Sequence, residues 1–141
     1  VNLVFALDEA LMMMREEGLD NIFQRHNKHK LAMSNAVKAL NLKLFADEKY
    51  LSPSITAIKT EGIDAEEFRK TIKNNFDILL AGGQDHLKGK IFRVGHLGYV
   101  NDRDIITVVS AISNTLLKLG KITAQQAGEA LVIASKYLEG N

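Results

Sequence analysis

Apolar residues recur at helical spacing through the first part of the chain. In residues 2–17 the apolar positions lie three and four residues apart, which predicts a first helix that ends at Gly18, a favourable residue at a helix C-terminus. The same spacing continues from Leu19 to Leu42 and predicts a longer second helix. We expect these two helices to pack side by side.

The pattern changes from period 3.6 to period 2 in the middle of the chain. Residues Ile55–Lys59 alternate and are rich in β-branched side chains, which predicts a strand. Asp64, with Glu67 three residues later, has the spacing of a helix N-terminal capping box and predicts a third helix that stops near Phe76. Two short apolar runs separated by a glycine-rich loop, Ile78–Ala81 and Lys90–Val94, predict two strands that pair as a hairpin.

Two more apolar stripes of helical period complete the chain. One follows Asn101 or Asp102 and closes at Gly120, and the other follows a capping box formed by Thr123 and Gln126. Three short strands are too few for a doubly wound domain, so the order of elements predicts an α+β fold in two layers. We expect a small, mainly antiparallel three-stranded sheet covered by helices, in a single domain over residues 1–141.

Composition excludes several classes of protein. Eighteen Lys and Arg balance seventeen Asp and Glu among the 141 residues, so neither a nucleic-acid nor a membrane partner is expected. No apolar run approaches the roughly 20 residues that cross a bilayer. The absence of cysteine excludes a thiolate metal site and fits a cytoplasmic location. The chain opens on Val1, already within a helical pattern, and we expect it to be a fragment of a longer protein.

Arg93 is the first candidate for a binding role. It lies in the short strand of "GKIFRVGHLGYV", where alternation places Ile91 and Arg93 on one face and Phe92 and Val94 on the other. A guanidinium presents a planar fork of donors that matches a carboxylate, which suits Arg93 to hold an acidic substrate. The alternative is an arginine that is solvated or structurally paired. Gly95 and His96 follow in the same turn and are possible neighbours of the same pocket.

The other candidate motifs favour structural interpretations. Gly82 and Gly83 lack the spacing of a phosphate-binding loop and predict a turn. His26 and His29 lie three residues apart on the second helix, but no carboxylate of a zinc motif separates them, so no metal site is expected. The basic run "RHNKHK" lacks interleaved aromatic residues and is typical of a solvated helix face, although weak nucleic-acid binding is an alternative.

Three segments of the chain resemble a known family. They are "FALDEALMMMREEGLDNIFQRH", "SPSITAIKTEGIDAEEFRK" and "LLAGGQDHLKGKIFRVGHLG", and the last is the most specific. In this order they resemble the carboxy-terminal small domain of class V aminotransferases, which depend on pyridoxal phosphate. The resemblance is greatest to the alanine–glyoxylate and serine–glyoxylate branch, including the cyanobacterial relatives historically named soluble hydrogenase small subunit.

The resemblance implies a two-domain transferase that works as a homodimer and exchanges an amino group between alanine or serine and a 2-oxo acid such as glyoxylate or pyruvate. In that family the arginine of the "RVGH" stretch binds the substrate carboxylate, a role that passes to Arg93. The large domain supplies most of the cofactor site and the cofactor-binding lysine, so no catalytic residue is expected in this chain. The loop before Arg93 contains no cysteine, which disfavours the related desulfurases.

One alternative belongs to a different functional class. The chain could be a stand-alone α+β interaction or regulatory domain, whose apolar helix faces recruit a partner and which has no catalytic role. The absence of a lysine-bearing domain upstream in the gene would favour this alternative.

Overall fold

The computed structural model describes residues 1–139, in which two α-helices come first, two come last, and four short strands with one helix lie between them. Two short 3-10 helices, Glu48–Tyr50 and Asp85–Leu87, lie in the connections. The described helices are α1 Asn2–Glu17, α2 Leu19–Ala39, α3 Ala65–Phe76, α4 Asp102–Lys118 and α5 Ala124–Leu138. The strands are β1 Lys43–Leu44, β2 Ile55–Lys59, β3 Ala81–Gly82 and β4 Ile91–Gly95. This arrangement confirms the predicted α+β class.

The strands form one antiparallel sheet in the order β1-β2-β4-β3. The predicted count of three strands was wrong because β1 has only two residues, too few to show an alternating pattern. β2 has the predicted bounds, and β4 begins and ends one residue later than predicted. β3 is confined to Ala81–Gly82, and its pairing with β4 confirms the predicted hairpin.

Backbone conformation determines where α1 and α2 end. Gly18 has φ 85°, in the region that glycine adopts without a Cβ penalty, and separates two helices that would otherwise run on as one. α2 ends at Ala39 rather than at the predicted Leu42. Asn41 explains the difference, since it takes φ 59°, a left-handed conformation that asparagine tolerates and a helix does not.

Side-chain caps begin the three later helices where the sequence predicts them. The Asp64 carboxylate accepts hydrogen bonds from the backbone N–H groups of Glu66 and Glu67 at the start of α3. Reciprocal capping boxes begin α4 at Asn101 and α5 at Thr123. Each cap satisfies backbone donors that have no partner inside the helix, a contribution of about 1 kcal/mol per cap.

The core lies between one face of the sheet and the packed helices. Ile58 of β2 and the pair Phe92 and Val94 of β4 point into it, and the Phe92 ring lies 5.2 Å from the Phe68 ring of α3. Buried residues of α2, α4 and α5 complete the cluster. The opposite face of the sheet, which includes Arg93, therefore lies outside the main core.

Candidate functional site

Arg93 lies at the middle of β4, on the sheet face that the core helices do not cover. It is directly opposite Ala57 on β2 and Ala81 on β3, so all three side chains project from the same face. Both neighbours are alanines, which leave the space beside the arginine side chain unfilled by larger groups. The half-buried Arg93 is thus accessible to a ligand on this face.

A single side-chain hydrogen bond orients Arg93 within residues 1–139. Its Nε atom donates to the carbonyl oxygen of Gly82 at 2.9 Å. None of the ion pairs in the described part of the chain includes Arg93. The two terminal nitrogens of the guanidinium therefore keep their hydrogen-bonding capacity for a bound group.

The backbone of the loop that follows Gly82 packs against itself, with Leu87 next to Gly83. A Cβ atom built on Gly83 would lie 2.1 Å from the backbone oxygen of Leu87, so the loop's own backbone fills the space at Gly83. Gly83 also donates its N–H to the carbonyl of Ile91 at 3.2 Å. Gly82 lies in β3 and not in the predicted turn, and Gly83 lies in the connection to the 3-10 helix Asp85–Leu87.

Gly95 and His96 lie on opposite faces of the sheet. Gly95 ends β4 opposite Ile55 and is exposed on the same face as Arg93, with open space where a side chain would be. His96 is fully buried. The structure therefore corrects the expectation that His96 shares a pocket with Arg93, because alternation directs side chains 93 and 95 to one face and 94 and 96 to the other.

His96 joins the turn after β4 to the segment before β2. Its Nδ1–H donates to the Pro53 carbonyl at 3.0 Å, and its Nε2 accepts from the Thr56 hydroxyl at 2.9 Å. Burial lowers the pKa of His96 to about 4, opposed by the hydrogen bond to Pro53. The imidazole is accordingly neutral at physiological pH and serves as a structural bridge.

Residues 98–102, the segment that follows this turn, are anchored by the basic residues of α2. Arg25 binds Glu17 through two hydrogen bonds of 2.6 and 2.9 Å, and its Nη1 also donates to the carbonyls of Gly98 and Val100. The Glu17 hydrogen bond raises the pKa of Arg25, while the Arg25 hydrogen bond lowers the pKa of Glu17. One guanidinium therefore links α1, α2 and the segment beyond β4.

Both α2 histidines are buried and bind the same segment. His26 donates from Nδ1 to the Ile22 carbonyl at 2.7 Å and accepts at Nε2 from the backbone N–H of Gly98 at 3.2 Å. His29 has no exposed surface, and its Nε2 lies 2.9 Å from the Asp102 carboxylate. Because a carboxylate only accepts, Nε2 carries the proton and the buried Nδ1 has no hydrogen-bond partner in residues 1–139.

The pKa shifts around Asp102 follow from burial and charge. Burial lowers the pKa of His29, opposed by the Asp102 hydrogen bond. Burial by itself raises the pKa of Asp102, but hydrogen bonds from Lys28 at 2.9 Å and from His29 outweigh it, so the net pKa is lowered. The interpretation of "RHNKHK" as a solvated helix face was wrong for Arg25, Lys28 and His29, which all bind other parts of the chain.

Neither a metal site nor a membrane span is found in the described part of the chain. In residues 1–139 no three histidine, aspartate or glutamate side chains converge to hold an ion. No helix there has the length and hydrophobicity needed to cross a bilayer.

α1 has a largely unburied apolar surface. None of its residues is buried, although large apolar side chains occur all along it. We define the α1 surface as Leu3, Val4, Phe5, Leu7, Leu11, Met12, Met13 and Met14, which are 40–86 % exposed. Exposed apolar surfaces of this kind mark sites of contact with another polypeptide.

Comparison with known proteins gives the family context of this geometry. No protein-family model matches the chain. It is 53 % identical over 138 residues to the protein named "Soluble hydrogenase, small subunit" of Synechococcus sp., covering 98 % of the chain and 36 % of the relative. It is 34 % identical to serine–glyoxylate aminotransferase of Methylorubrum extorquens, covering 99 % of the chain and 35 % of the relative.

A solved structure shows the same fold. The crystal structure of ureidoglycine–glyoxylate aminotransferase from Bacillus subtilis superposes with a TM-score of 0.85 and 32 % identity, covering 94 % of this chain and 35 % of that one. The chain is homologous to the small, carboxy-terminal part of class V aminotransferases. It spans about a third of the length of these aminotransferase homologues.

Proposed function

We propose that this chain is the small domain, residues 1–141, of a longer pyridoxal-phosphate-dependent aminotransferase. The whole protein would exchange an amino group between alanine or serine and a 2-oxo acid such as glyoxylate or pyruvate. The observation that carries this proposal is the position of Arg93, on an uncovered sheet face with its terminal nitrogens available. Homology to a serine–glyoxylate aminotransferase supports the choice of substrates.

Arg93 would bind the α-carboxylate of the amino acid. Two parallel N–H···O bonds from one guanidinium fix the carboxylate in both position and rotation, which a single ammonium cannot do. With the carboxylate held, rotation about the neighbouring Cα is restricted, so the bond that must break is kept in one orientation. The role of Arg93 is to bind and orient the substrate, and no proton transfer is assigned to it.

The cofactor would be bound by the rest of the protein. Pyridoxal phosphate supplies the electron sink that amino-group exchange requires. The glycine-rich loop at Gly83 does not fit its phosphate, because the Leu87 backbone fills the space there. We therefore assign the cofactor site and the lysine that binds the cofactor to the part of the protein outside this chain.

The α1 surface would be covered by that same part of the protein. The relatives are about three times as long as the chain, so a large polypeptide is available to cover it. The exposed side chains include Leu7 at 59 % and Phe5 at 69 %. Large apolar residues within a formed interface are more deeply buried than this. A homodimer of the whole enzyme is part of this proposal.

Substitution of Arg93 in the full-length protein tests the proposal. Arg93→Lys keeps the charge and loses the fork, and Arg93→Ala loses both. We expect kcat/KM for L-alanine with glyoxylate to fall about 10- to 100-fold, the equivalent of one charged hydrogen bond or two. Absorbance of the bound cofactor should remain unchanged. Arg103→Lys, at an exposed position on α4, is the matched control.

Unchanged kinetics in both Arg93 variants would reject this function. The α1 surface would then favour the second candidate, an interaction domain without a catalytic role, because an exposed apolar helix suits partner recruitment equally well. The two candidate functions also predict different genes. The aminotransferase requires an upstream coding region for the cofactor-binding domain, and the interaction domain does not.

A further inference from the structure

Gly82 lies between two arginines that approach β3 from opposite faces of the sheet. From the uncovered face, Arg93 donates from Nε to the Gly82 carbonyl at 2.9 Å. From the α3 face, the guanidinium of Arg69 packs so closely that a Cβ built on Gly82 would lie 2.5 Å from its Nη1. A Cβ at this position would displace the Arg69 guanidinium and the Glu66 carboxylate from where they lie.

The Arg69 side chain is itself held in place by two partners. Its Nη1 pairs with the Glu66 carboxylate at 2.7 Å, and its Nε donates to the carbonyl of Leu80 at 2.8 Å. Glu66 and Arg69 are three residues apart on α3, where side chains of neighbouring turns meet. The side chains are 38 % and 23 % exposed, so the pair is partly shielded from water.

β3 needs such support because it is a short edge strand. It has two residues and pairs only with β4, Ala81 opposite Arg93 and Gly82 opposite Phe92. An edge strand of this length has few ladder hydrogen bonds to fix its position. The Arg69–Leu80 bond adds an attachment to α3, which is anchored in the core by Phe68 and Ile72.

We propose that the Glu66–Arg69 pair is a positioning device for Arg93. By holding β3 it fixes the Gly82 carbonyl, and that carbonyl sets the rotation of the Arg93 guanidinium so that both terminal nitrogens face a carboxylate. Binding to a pre-oriented fork loses less side-chain entropy than binding to a mobile one. This inference rests on the proposed role of Arg93, and it makes Glu66 and Arg69 specificity determinants for carboxylate ligands that they do not touch.

The experiment measures the binding of a carboxylate against that of a neutral analogue of equal shape. In the full-length protein, inhibition constants are determined for propionate and for propionamide with wild type, Arg69→Met, Glu66→Gln and Gly82→Ala. We expect propionate inhibition to weaken about 3- to 10-fold while propionamide inhibition is unchanged. A purely structural defect would change both constants together. Arg69→Lys, which can still donate to Leu80 and pair with Glu66, should restore part of the propionate affinity.

Control variants separate this inference from the proposed function. Lys70→Ala removes a neighbouring α3 cation whose exposed side chain lies 3.9 Å from Glu67, and it should behave as wild type. If Arg93→Lys weakens propionate inhibition but Arg69→Met and Glu66→Gln do not, the positioning device is rejected and the proposed function stands. If Arg93→Lys also leaves propionate inhibition unchanged, the carboxylate site itself is rejected.

Discussion

Arg25 and Glu17 form a two-bond ion pair at the junction between α1 and α2. The distances are 2.6 and 2.9 Å, and the same guanidinium binds the carbonyls of Gly98 and Val100. The segment beyond β4 is therefore attached to the helix junction, and not only to its own neighbours in sequence. The position of this segment therefore depends on Arg25, a residue more than 70 positions away in the sequence.

Removing this guanidinium should destabilise the chain. Arg25→Ala leaves the Glu17 carboxylate and two backbone carbonyls without their donor, and we expect the free energy of unfolding to fall by about 1–2 kcal/mol, because water can partly replace the lost donor at this partly exposed pair. Urea denaturation followed by circular dichroism measures the change. Arg103→Ala, which alters an exposed arginine on α4, should leave the midpoint within experimental error. Equal midpoints for the two variants would show that the Arg25 contacts do not stabilise the fold.

The free energy of unfolding should decrease as the pH is lowered, because of His96. The pKa of His96 is about 4 in the folded chain, against an ordinary value of 6.5, so between these values the unfolded state binds a proton that the folded state excludes. The stabilisation is complete above pH 6.5 and is lost as the pH falls towards 4. The loss by pH 4 is on the order of 3 kcal/mol.

Comparison with a His96→Gln variant isolates this effect. The variant keeps a polar side chain but cannot titrate, so its unfolding free energy should vary less between pH 6.5 and 4 than that of wild type. Burial also lowers the pKa of His29, in the same direction, and the variant should keep that part of the pH dependence. Parallel curves for the two proteins would contradict the assignment to His96.

The isolated chain should self-associate through the α1 surface. Leu7 and Leu11 are 59 % and 49 % exposed, and burying the exposed part of either in a contact is worth roughly 1 kcal/mol. Leu7→Glu or Leu11→Glu should therefore weaken association by about tenfold or more without lowering the melting temperature, because α1 contributes no buried residue. Multi-angle light scattering over a concentration series measures this. Val132→Glu, at an exposed position of α5, is the control, and a strictly monomeric wild type would contradict the prediction.

Local signals made most of the fold predictable. The caps at Asp64, Asn101 and Thr123 act within three residues, so the starts of α3, α4 and α5 could be read directly from the sequence. β2 was equally clear because its alternation extends over five residues. β1 could not be predicted, since a two-residue strand exists only through its pairing with β2.

The candidate site was less predictable because it depends on contacts between distant segments. Alternation along β4 places Arg93 away from the core, but its hydrogen bond to Gly82 requires the register of β3 against β4. Phe92 and Val94 face the core, and the same alternation continued two residues past Val94 assigns His96 to the core face as well.

Helical spacing puts His29 on the same buried stripe as Ile22 and Met33. The groups that Arg25 and His29 bind at positions 98–102 could not be predicted, because they are 73 or more residues away.

The two outer strands limit how the sheet can associate with other copies. β1 and β3 each contain two residues, so the edges offer little unpaired backbone to another chain. Cross-β fibres need long, flat strand edges as templates, and these two-residue strands do not provide them. Aggregates of the isolated chain should therefore stay helical in character and dissolve on dilution, and they should not bind dyes that detect amyloid.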